Sequence, residues 1–401
     1  MFALKPTPQA AAAAIGRINA STYAKTRNFL SGDVTRLSPY ITHGMVDIAA
    51  IVAQLHAQRP LKFEDKIVFE FAWREFFHHV WGIKGEAIFK GLREAVYAGQ
   101  YATALPDDIA QGRTGVPAID AAVRELYTTG YLHNHARMWM ASYVVHLRKV
   151  HWKAGADWLY AHLLDGDCAS NHLSWQWVAG TFSSKPYLFN AENVARYAPA
   201  ATHSHWHSEG TVVDQSYEAL EAWALSSKHA QAEPGHHEGV LVPPTSGVPA
   251  NCHTHLDVAQ QVQGKAVRLV HPWDLMDVEG DGEGEGTVNV AWLCPVFHAA
   301  LPWSQPRWDW VLARMHALCP VMVVGDAAAL QAALAGAASV QVQLTKNAAY
   351  LTAIERLART LPTLTTTLEP ALLPAVGTLC HSFTKYYQTA QKLAGRLEAC
   401  L

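Results

Sequence analysis

The alternation of short β-rich runs with helical stretches in the last third of the chain is the strongest constraint on its fold. The β-rich runs begin near residue 265 and read "AVRLVHPW", "TVNVAWLCPVF", "PVMVVG", "SVQVQL" and "TLTTTLEP". The helical stretches cover 305–318, 326–337, 347–359 and 379–396. This alternation is typical of a parallel sheet whose strands are joined by helices. Residues 264–401 are therefore predicted to form an α/β domain, and the lack of a glycine-rich phosphate motif after its first strand disfavours dinucleotide binding.

The first half of the chain has a different pattern, in which apolar residues recur at helical spacing. Examples are "FEDKIVFEFAWREFFHHVWG" (63–82) and "AIDAAVRELYTTG" (118–130), where Gly130 is placed to end the helix. Residues 1–200 are predicted to form an all-helical domain. Residues 201–263 are rich in His, Ser, Pro and Gly, the composition of a connecting arm. The predicted fold class is thus an all-helical domain followed by a smaller α/β parallel-sheet domain.

Composition narrows the class of protein. The chain has 401 residues, of which 50% are hydrophobic and 16% charged, as in ordinary globular proteins. No apolar run is long enough to span a bilayer and no signal-like start is present, so a cytoplasmic location is expected. The net charge of −3 combines +4 in residues 1–200 (20 basic, 16 acidic) with −7 in the remainder (11 basic, 18 acidic). A mildly basic first half permits contact with a polyanion without requiring it.

Neither the cysteines nor the histidines form a metal-binding motif of fixed spacing. The six cysteines are scattered and form no CxxC pair, so neither a disulfide framework nor a thiolate metal site is predicted. The arm contains many histidines, including "HSHWH" and "CHTH", for which zinc binding is the alternative to a solvated linker. We expect the linker and no metal site. These histidines are at positions 203, 205, 207, 229, 236, 237, 253 and 255.

Three stretches combine residue types that could carry chemistry. "VTRLSPYITHG" (34–44) places Thr35 and Ser38 where a helix would begin, as a phosphate site or as a plain helix cap. "FEFAWREFF" (69–77) places an acid, an indole and a guanidinium on one helical face. They form either an internal ion pair beside a core tryptophan or the wall of a pocket for a flat ligand. "DGDCASNHLSWQWVAG" (165–180) combines two acids, an amide and two indoles, and Arg137 is a candidate partner for one of the acids.

These stretches, together with "GRTGVPAIDAAVRELYTTGYLHNHARM" (112–138), occur in an order and spacing that resembles the flavin-binding domain of the photolyase/cryptochrome family. The resemblance covers roughly residues 7 to 200. It implies a bound FAD, with a set of cofactor-binding residues that divides by the part of the flavin contacted. The residues that match contacts to the flavin phosphates and ribityl chain are Tyr23, Thr35, Arg36, Leu37 and Ser38, and Arg74 and Asn134 match further contacts to FAD. Arg137 and Asp165 match the ion pair beside the isoalloxazine. Asp167 matches a carboxylate near the polar edge of the isoalloxazine, and Asn171 matches the residue that faces its N5 atom.

The resemblance also implies residues for substrate and for electrons. Glu70, Trp73, Met138 and Trp177 correspond to the lining of a cavity that receives a flipped-out pyrimidine dimer, and with Asn171 they form the predicted catalytic set. Asn134 and Met138 stand where enzymes for the 6-4 lesion would have histidines, which favours cyclobutane dimers. Trp175 and Trp152 correspond to the first two members of an electron-carrying chain. The third position is Gly99, with Tyr97 or Tyr101 as replacements, and Lys185 is a candidate DNA contact in a shortened segment.

The function implied is light-driven repair of cyclobutane pyrimidine dimers, in single- or double-stranded DNA, by electron transfer from excited reduced FAD. The alternatives are a cryptochrome-like blue-light photoreceptor without repair activity, and a flavin-bound nucleic-acid-binding relative without repair activity. In the α/β domain, "VRLVHPWDL" and "LCPVFHAALPWSQPRWDWVLARM" resemble parts of the family's antenna domain. We interpret residues 264–401 as that domain moved to the C-terminus, with an unrelated α/β domain as the alternative, and leave open whether an antenna pigment binds.

Overall fold

A computed structural model describes residues 4–232, 237–277 and 286–401. The first ten α-helices are α1 (Pro8–Gly16), α2 (Ala20–Thr26), α3 (Ser38–Thr42), α4 (Ile48–Gln58), α5 (Lys66–Lys84), α6 (Asp107–Ala110), α7 (Pro117–Thr129), α8 (Asn134–Ser142), α9 (Trp152–His162) and α10 (Cys168–Ala179). They are followed by α11 (Ala191–Tyr197), α12 (Ala200–His203), α13 (Tyr217–Leu225), α14 (Val258–Val262), α15 (Pro295–Ala300), α16 (Gln305–Leu318), α17 (Ala327–Leu334), α18 (Ala348–Thr360) and α19 (Phe383–Ala394).

The strands are β1 (Ala266–Val270), β2 (Val288–Leu293), β3 (Val321–Val324), β4 (Ser339–Gln343) and β5 (Leu364–Thr367). They form one parallel sheet in the order β3-β2-β1-β4-β5. The five β-rich runs and the parallel sheet predicted from the sequence are therefore confirmed. The order reverses between β1 and β4, as it does in doubly wound α/β folds.

Contacts divide the chain into two compact units. The sheet unit contains the described residues of Met1–Arg17, Arg36–Phe63 and Pro244–Leu401, and the helical unit contains those of Ile18–Thr35 and Glu64–Pro243. This division differs from the predicted domain boundaries at residues 200 and 264 in two respects. Two N-terminal segments belong to the sheet unit, and the predicted arm is shared between the units.

Long-range polar and aromatic contacts explain why the N-terminal segments join the sheet unit. His43 lies 2.6 Å from the Pro272 carbonyl oxygen through Nδ1, and its ring is 5.3 Å from that of Trp310. The Trp310 indole N–H donates to the Leu4 carbonyl at 2.7 Å. At the end of the second segment, the Tyr387 hydroxyl donates to the Phe63 carbonyl at 2.6 Å. These contacts link residues more than 200 positions apart in the sequence, so no local sequence pattern predicts them.

The first part of the predicted arm is integrated into the helical unit. Trp206, Leu220 and Trp223 are buried in the main hydrophobic core of that unit, and α13 is a regular helix. Among the arm histidines, His236 lies outside the described residues. Within the described ranges, no group of three or more His, Cys, Asp or Glu side chains could hold a metal ion. The described residues among 201–243 therefore belong to the helical unit, in the region where the sequence predicts a connecting arm.

Aromatic side chains fill the crevice at the carboxyl ends of β1 and β4. Trp273, which follows β1, lies 5.0 Å from the ring of Tyr350 and 5.0 Å from that of Phe297. The His271 ring accompanies them and lies 2.8 Å from the Gln343 carbonyl through Nε2. In doubly wound folds this crevice is the usual ligand position. Here the unit's own side chains occupy it.

No helix in the described part of the chain is long and apolar enough to cross a membrane.

Gly44 is a position at which the sheet unit requires glycine. Its φ is +59°, and a Cβ there would lie 2.3 Å from the Trp273 carbonyl oxygen. Gly247 has a similar φ of +74°, but no atom of the described residues lies within 4 Å of the position its Cβ would take.

Gly44→Ala is expected to destabilise the protein more than Gly247→Ala does, by about 2 kcal/mol, because only the first substitution adds overpacking to the backbone strain that both share. Chemical denaturation followed by circular dichroism measures the difference. Equal losses of stability in the two variants would contradict the close approach at Gly44.

Candidate functional site

Helix α10 and the turn before it hold the densest set of predicted site residues. Asp167 is the N-cap of α10, and its Oδ1 accepts the Ser170 N–H at 2.7 Å. The preceding turn is tied to the end of α7, because the Leu164 N–H donates to the Gly130 carbonyl at 2.8 Å. Gly130 has the left-handed φ of +64° and ends α7, as the sequence predicts. Both acids of the quoted stretch are thereby held by local structure.

Asp165 forms a buried ion pair with Arg137 of α8. Arg137 Nη2 donates to Asp165 Oδ2 at 2.8 Å, and Nε donates to the Leu132 carbonyl at 2.9 Å. The Asp165 side chain is only 3% exposed. Burial would lower the pKa of Arg137, but the charge of Asp165 and its hydrogen bond raise the pKa above the ordinary value. The guanidinium therefore stays charged at the base of this site.

Asp167 contacts two basic residues of α5, Arg74 and His78. Its Oδ2 lies 3.2 Å from Arg74 Nη1 and 2.9 Å from His78 Nε2. Burial alone would raise the pKa of Asp167, but His78 and Arg74 outweigh it, and the pKa lies well below the usual range. This carboxylate is ionised at neutral pH and is shared between α5 and α10.

The side-chain amide of Asn171 has a fixed orientation. Its Nδ2 donates to the Ala156 carbonyl at 2.8 Å, and a carbonyl oxygen can only accept, so the NH₂ group must be the end that faces α9. Asn171 Oδ1 consequently points away from that bond as an acceptor. The residue itself is 9% exposed.

The two tryptophans of the stretch have different environments. Trp175 is 2% exposed and packs on α9 at Gly155, where a Cβ would lie 2.3 Å from the indole. Trp177 is 37% exposed, and its ring lies 5.9 Å from the ring of Tyr187. Tryptophan is highly buried on average, so Trp177 is more accessible than most indoles. One helix thus presents one buried and one accessible indole.

The other predicted substrate residues lie on α5 and α8, both of which pack against α10. Glu70 pairs with Arg27, whose Nε donates to Glu70 Oε1 at 3.2 Å. Trp73, on the same helix, is half-buried and lies 5.6 Å from the ring of Phe77. Asn134 Nδ2 donates to the Met138 sulfur at 3.3 Å, at the start of α8. Lys185 is exposed in the segment that follows α10.

The predicted flavin phosphate and ribityl contacts are divided between the two units. Tyr23 and Thr35 belong to the helical unit, whereas Arg36, Leu37 and Ser38 belong to the sheet unit. Ser38 is the first residue of α3, as the sequence predicts, and Arg36 has a φ of +53°. Burial, together with the neighbouring charge of Glu70, raises the pKa of Tyr23 far above its ordinary value, so its hydroxyl stays protonated.

A series of rings extends outward from Trp152. His151 lies 5.6 Å from Trp152 and 6.4 Å from Tyr101, and Tyr101 lies 5.5 Å from Tyr97. A Cβ at Gly99 would lie 2.1 Å from the Tyr97 ring, so that ring fills the space of a side chain at position 99. A cavity of 220 Å³ lies beside Trp152, Tyr101 and His151.

Sequence reasoning missed three residues of this region: Arg27, His78 and His172. Arg27 and His78 contact Glu70 and Asp167 from positions 43 and 89 residues away in the chain. A single basic residue so far from its partner in the sequence forms no recognisable motif with that partner. His78 could have been found because it lies one helical turn after Arg74, on the face that meets Asp167.

The residues present fit a flavin. Two buried guanidinium–carboxylate pairs, Arg137–Asp165 and Arg74–Asp167, offer charged and hydrogen-bonding groups, and Asn171 Oδ1 adds an oriented acceptor. Buried ion pairs are weak stabilisers of a fold, so such a concentration in one region indicates a binding site.

Residues 67–241 match the family model for the FAD-binding domain of DNA photolyase. The chain is 37% identical over 160 residues to a deoxyribodipyrimidine photo-lyase of Streptomyces griseus, covering 40% of this chain and 35% of that protein. It is 34% identical over 212 residues to a chloroplastic/mitochondrial cryptochrome DASH of Ostreococcus tauri, covering 49% and 38%. The matches thus span little more than a third of these relatives.

Among solved structures, a cryptochrome from Synechocystis sp. is similar over 55% of this chain and 51% of that one, with 23% identity and a TM-score of 0.45. The family assignment depends on the sequence matches alone, which include photolyases and cryptochromes of the DASH type. Residues 67–241 are an FAD-binding domain of the photolyase/cryptochrome family.

Proposed function

We propose that the protein repairs cyclobutane pyrimidine dimers in DNA, using light and a reduced FAD held by the helical unit. The observation that carries this proposal is the accessible indole of Trp177 on α10, the helix that bears Asn171 and is preceded by the turn with Asp165 and Asp167. A base taken out of its stack must find a new aromatic surface. An exposed tryptophan close in sequence to the flavin-binding residues supplies one.

The flavin-facing residues have separable roles in this proposal. Arg137 with Asp165 and Arg74 with Asp167 would hold the ring system of a bound FAD through their charges and hydrogen-bonding groups. Asn171 Oδ1 would be the acceptor available to a protonated flavin N5, because the amide NH₂ donates to Ala156. Bound reduced FAD supplies the light-driven electron donation, and these side chains supply orientation and electrostatics.

The substrate-facing residues are Glu70, Trp73, Met138 and Trp177. The two indoles provide apolar walls that replace the stacking of the dimer in DNA. Glu70 accepts hydrogen bonds from the N–H edge of a pyrimidine, and Arg27 holds its carboxylate in place at 3.2 Å. Methionine at 138 and asparagine at 134 offer no acid-base group comparable to histidine, which supports cyclobutane dimers as the substrate.

A photoreceptor function is the second candidate, and the rings beyond Trp152 favour it. The series Trp152, His151, Tyr101 and Tyr97 offers a route for electrons from the protein surface. Tyr97 occupies the space at Gly99 where the family resemblance places the third tryptophan. Such a route serves a protein whose signal is flavin reduction.

Glu70→Gln is expected to lower the yield of light-driven repair about tenfold or more while FAD remains bound, because the neutral amide weakens hydrogen bonding to the dimer. The assay illuminates prereduced protein with an oligonucleotide carrying one thymine dimer, as single strand and as duplex, and counts restored thymines. Glu64→Gln is the control, because Glu64 is an exposed acid in the same segment of the helical unit, Glu64–Pro243, that contains Glu70. Lack of repair by the unmodified protein in both strand forms would overturn the proposed function in favour of the photoreceptor.

Trp175→Phe is expected to slow light-driven reduction of the bound, oxidised flavin at least tenfold, because phenylalanine is much harder to oxidise than the buried indole. Repair by protein reduced beforehand should be unchanged. Absorbance of the oxidised flavin under blue light follows the first quantity, and the thymine-dimer assay follows the second. Loss of both activities would show that Trp175 supports the site structurally instead of passing electrons.

A further inference from the structure

His172 joins α10 to α9 through two hydrogen bonds. Its Nδ1 lies 2.9 Å from the Cys168 carbonyl oxygen, and its Nε2 lies 3.0 Å from Asp157 Oδ1. The side chain is completely buried, whereas the Asp157 side chain is 39% exposed. Asp157 also receives a hydrogen bond from Lys153, one helical turn earlier in α9.

Both partners of the His172 ring are acceptors. The Cys168 carbonyl has no hydrogen to donate. Burial would raise the pKa of Asp157, but hydrogen bonds from His172 and Lys153 lower it below its usual value, so the group is a carboxylate at neutral pH. A neutral imidazole has only one N–H and would direct a lone pair at one of these oxygens. Both contacts can be donated hydrogen bonds only when both ring nitrogens carry a hydrogen, as they do in an imidazolium ion.

The surroundings of this ring are aromatic. The Phe89 ring lies edge-to-face with His172 at 4.8 Å, and the Tyr160 ring lies at 5.9 Å. The Trp152 ring lies 6.4 Å away at an interplanar angle of 84°. Water screens the partly exposed charges of Asp157 and Lys153 more strongly than it screens a fully buried one. A positive charge on the His172 ring would therefore be the least screened of the three at the Trp152 indole, because the His172 side chain is fully buried.

We propose that His172 is a buried imidazolium that makes Trp152 harder to oxidise and so restrains the supply of electrons to the flavin through the tryptophan chain. The inference rests on the proposed electron-transfer role of Trp152. In the affected step one electron leaves Trp152 and fills the vacancy on oxidised Trp175, and an external thiol then returns an electron to Trp152. The adjacent cation opposes the positive charge that this step creates on the indole.

Nitrogen-15 NMR of histidine-labelled protein tests the charge directly, without reference to activity. The His172 ring, assigned by the signal missing in His172→Gln, is expected to carry protons on both nitrogens at pH 7. His162 is the internal comparison: it is also buried, and burial lowers its pKa to about 4, so it should be neutral. A His172 ring with one unprotonated nitrogen overturns the proposal.

Photoreduction kinetics test the consequence. With oxidised FAD bound, dithiothreitol present and blue light, His172→Gln is expected to bleach the flavin about tenfold faster than the unmodified protein, since the opposing charge is gone. His162→Gln, which removes a buried neutral ring from the end of α9, should leave the rate unchanged. A His172→Gln rate equal to or below that of the unmodified protein contradicts the proposal.

Two further measurements separate this inference from the proposed function. Trp152→Phe must slow photoreduction, and an unchanged rate there overturns the role assigned to His172, because no electron would then pass beside it. Repair by protein reduced beforehand bypasses Trp152. Its absence contradicts the proposed repair function alone and leaves the charge and kinetic predictions for His172 in force.

Discussion

The burial of two carboxylates at the start of α10 is the constraint on which the site depends. Asp165 and Asp167 are 3% and 6% exposed in their side chains, and charges so placed are tolerated only when partners compensate them. Arg137 from α8, and Arg74 and His78 from α5, provide that compensation. These contacts join α5 and α8 to the turn that precedes α10 and to its N-cap residue. Asn171, Trp175 and Trp177 project from this helix into three different environments.

The α9–α10 contact gives the site a second fixed relationship. Gly155, Ala156 and Asp157 of α9 meet Trp175, Asn171 and His172 of α10, each through a different interaction: close packing, a hydrogen bond to a carbonyl, and an ion pair. The amide, the indole and the histidine to which the proposals assign roles are thus held in one interface. In the sheet unit, by contrast, Trp273 and Tyr350 pack against each other in the crevice at the carboxyl ends of β1 and β4, which is the usual ligand position in such folds.

The local features of this fold were predictable from the sequence because they have local causes. Helix periodicity, the Gly130 cap and the five parallel strands are all encoded in short windows. The sequence did not predict that residues 36–63 belong to the sheet unit, because this depends on long-range contacts such as those of His43 with Pro272 and Trp310. The polar composition of the predicted arm also gives no sign that Trp206, Leu220 and Trp223 are buried in the core of the helical unit. In the site, the resemblance named the acids, whereas the contacts of His172 with the Cys168 carbonyl and with Asp157 are visible only in the structure.

The central claim is that the charged pairs of the helical unit hold a flavin, and cofactor content tests it most directly. The protein is incubated with FAD, freed of excess by gel filtration and examined by visible absorption. The account predicts about one FAD per chain retained through chromatography, and release of that FAD when Arg137→Met removes the partner of Asp165. Protein that emerges folded but without flavin absorption would contradict the account at its foundation.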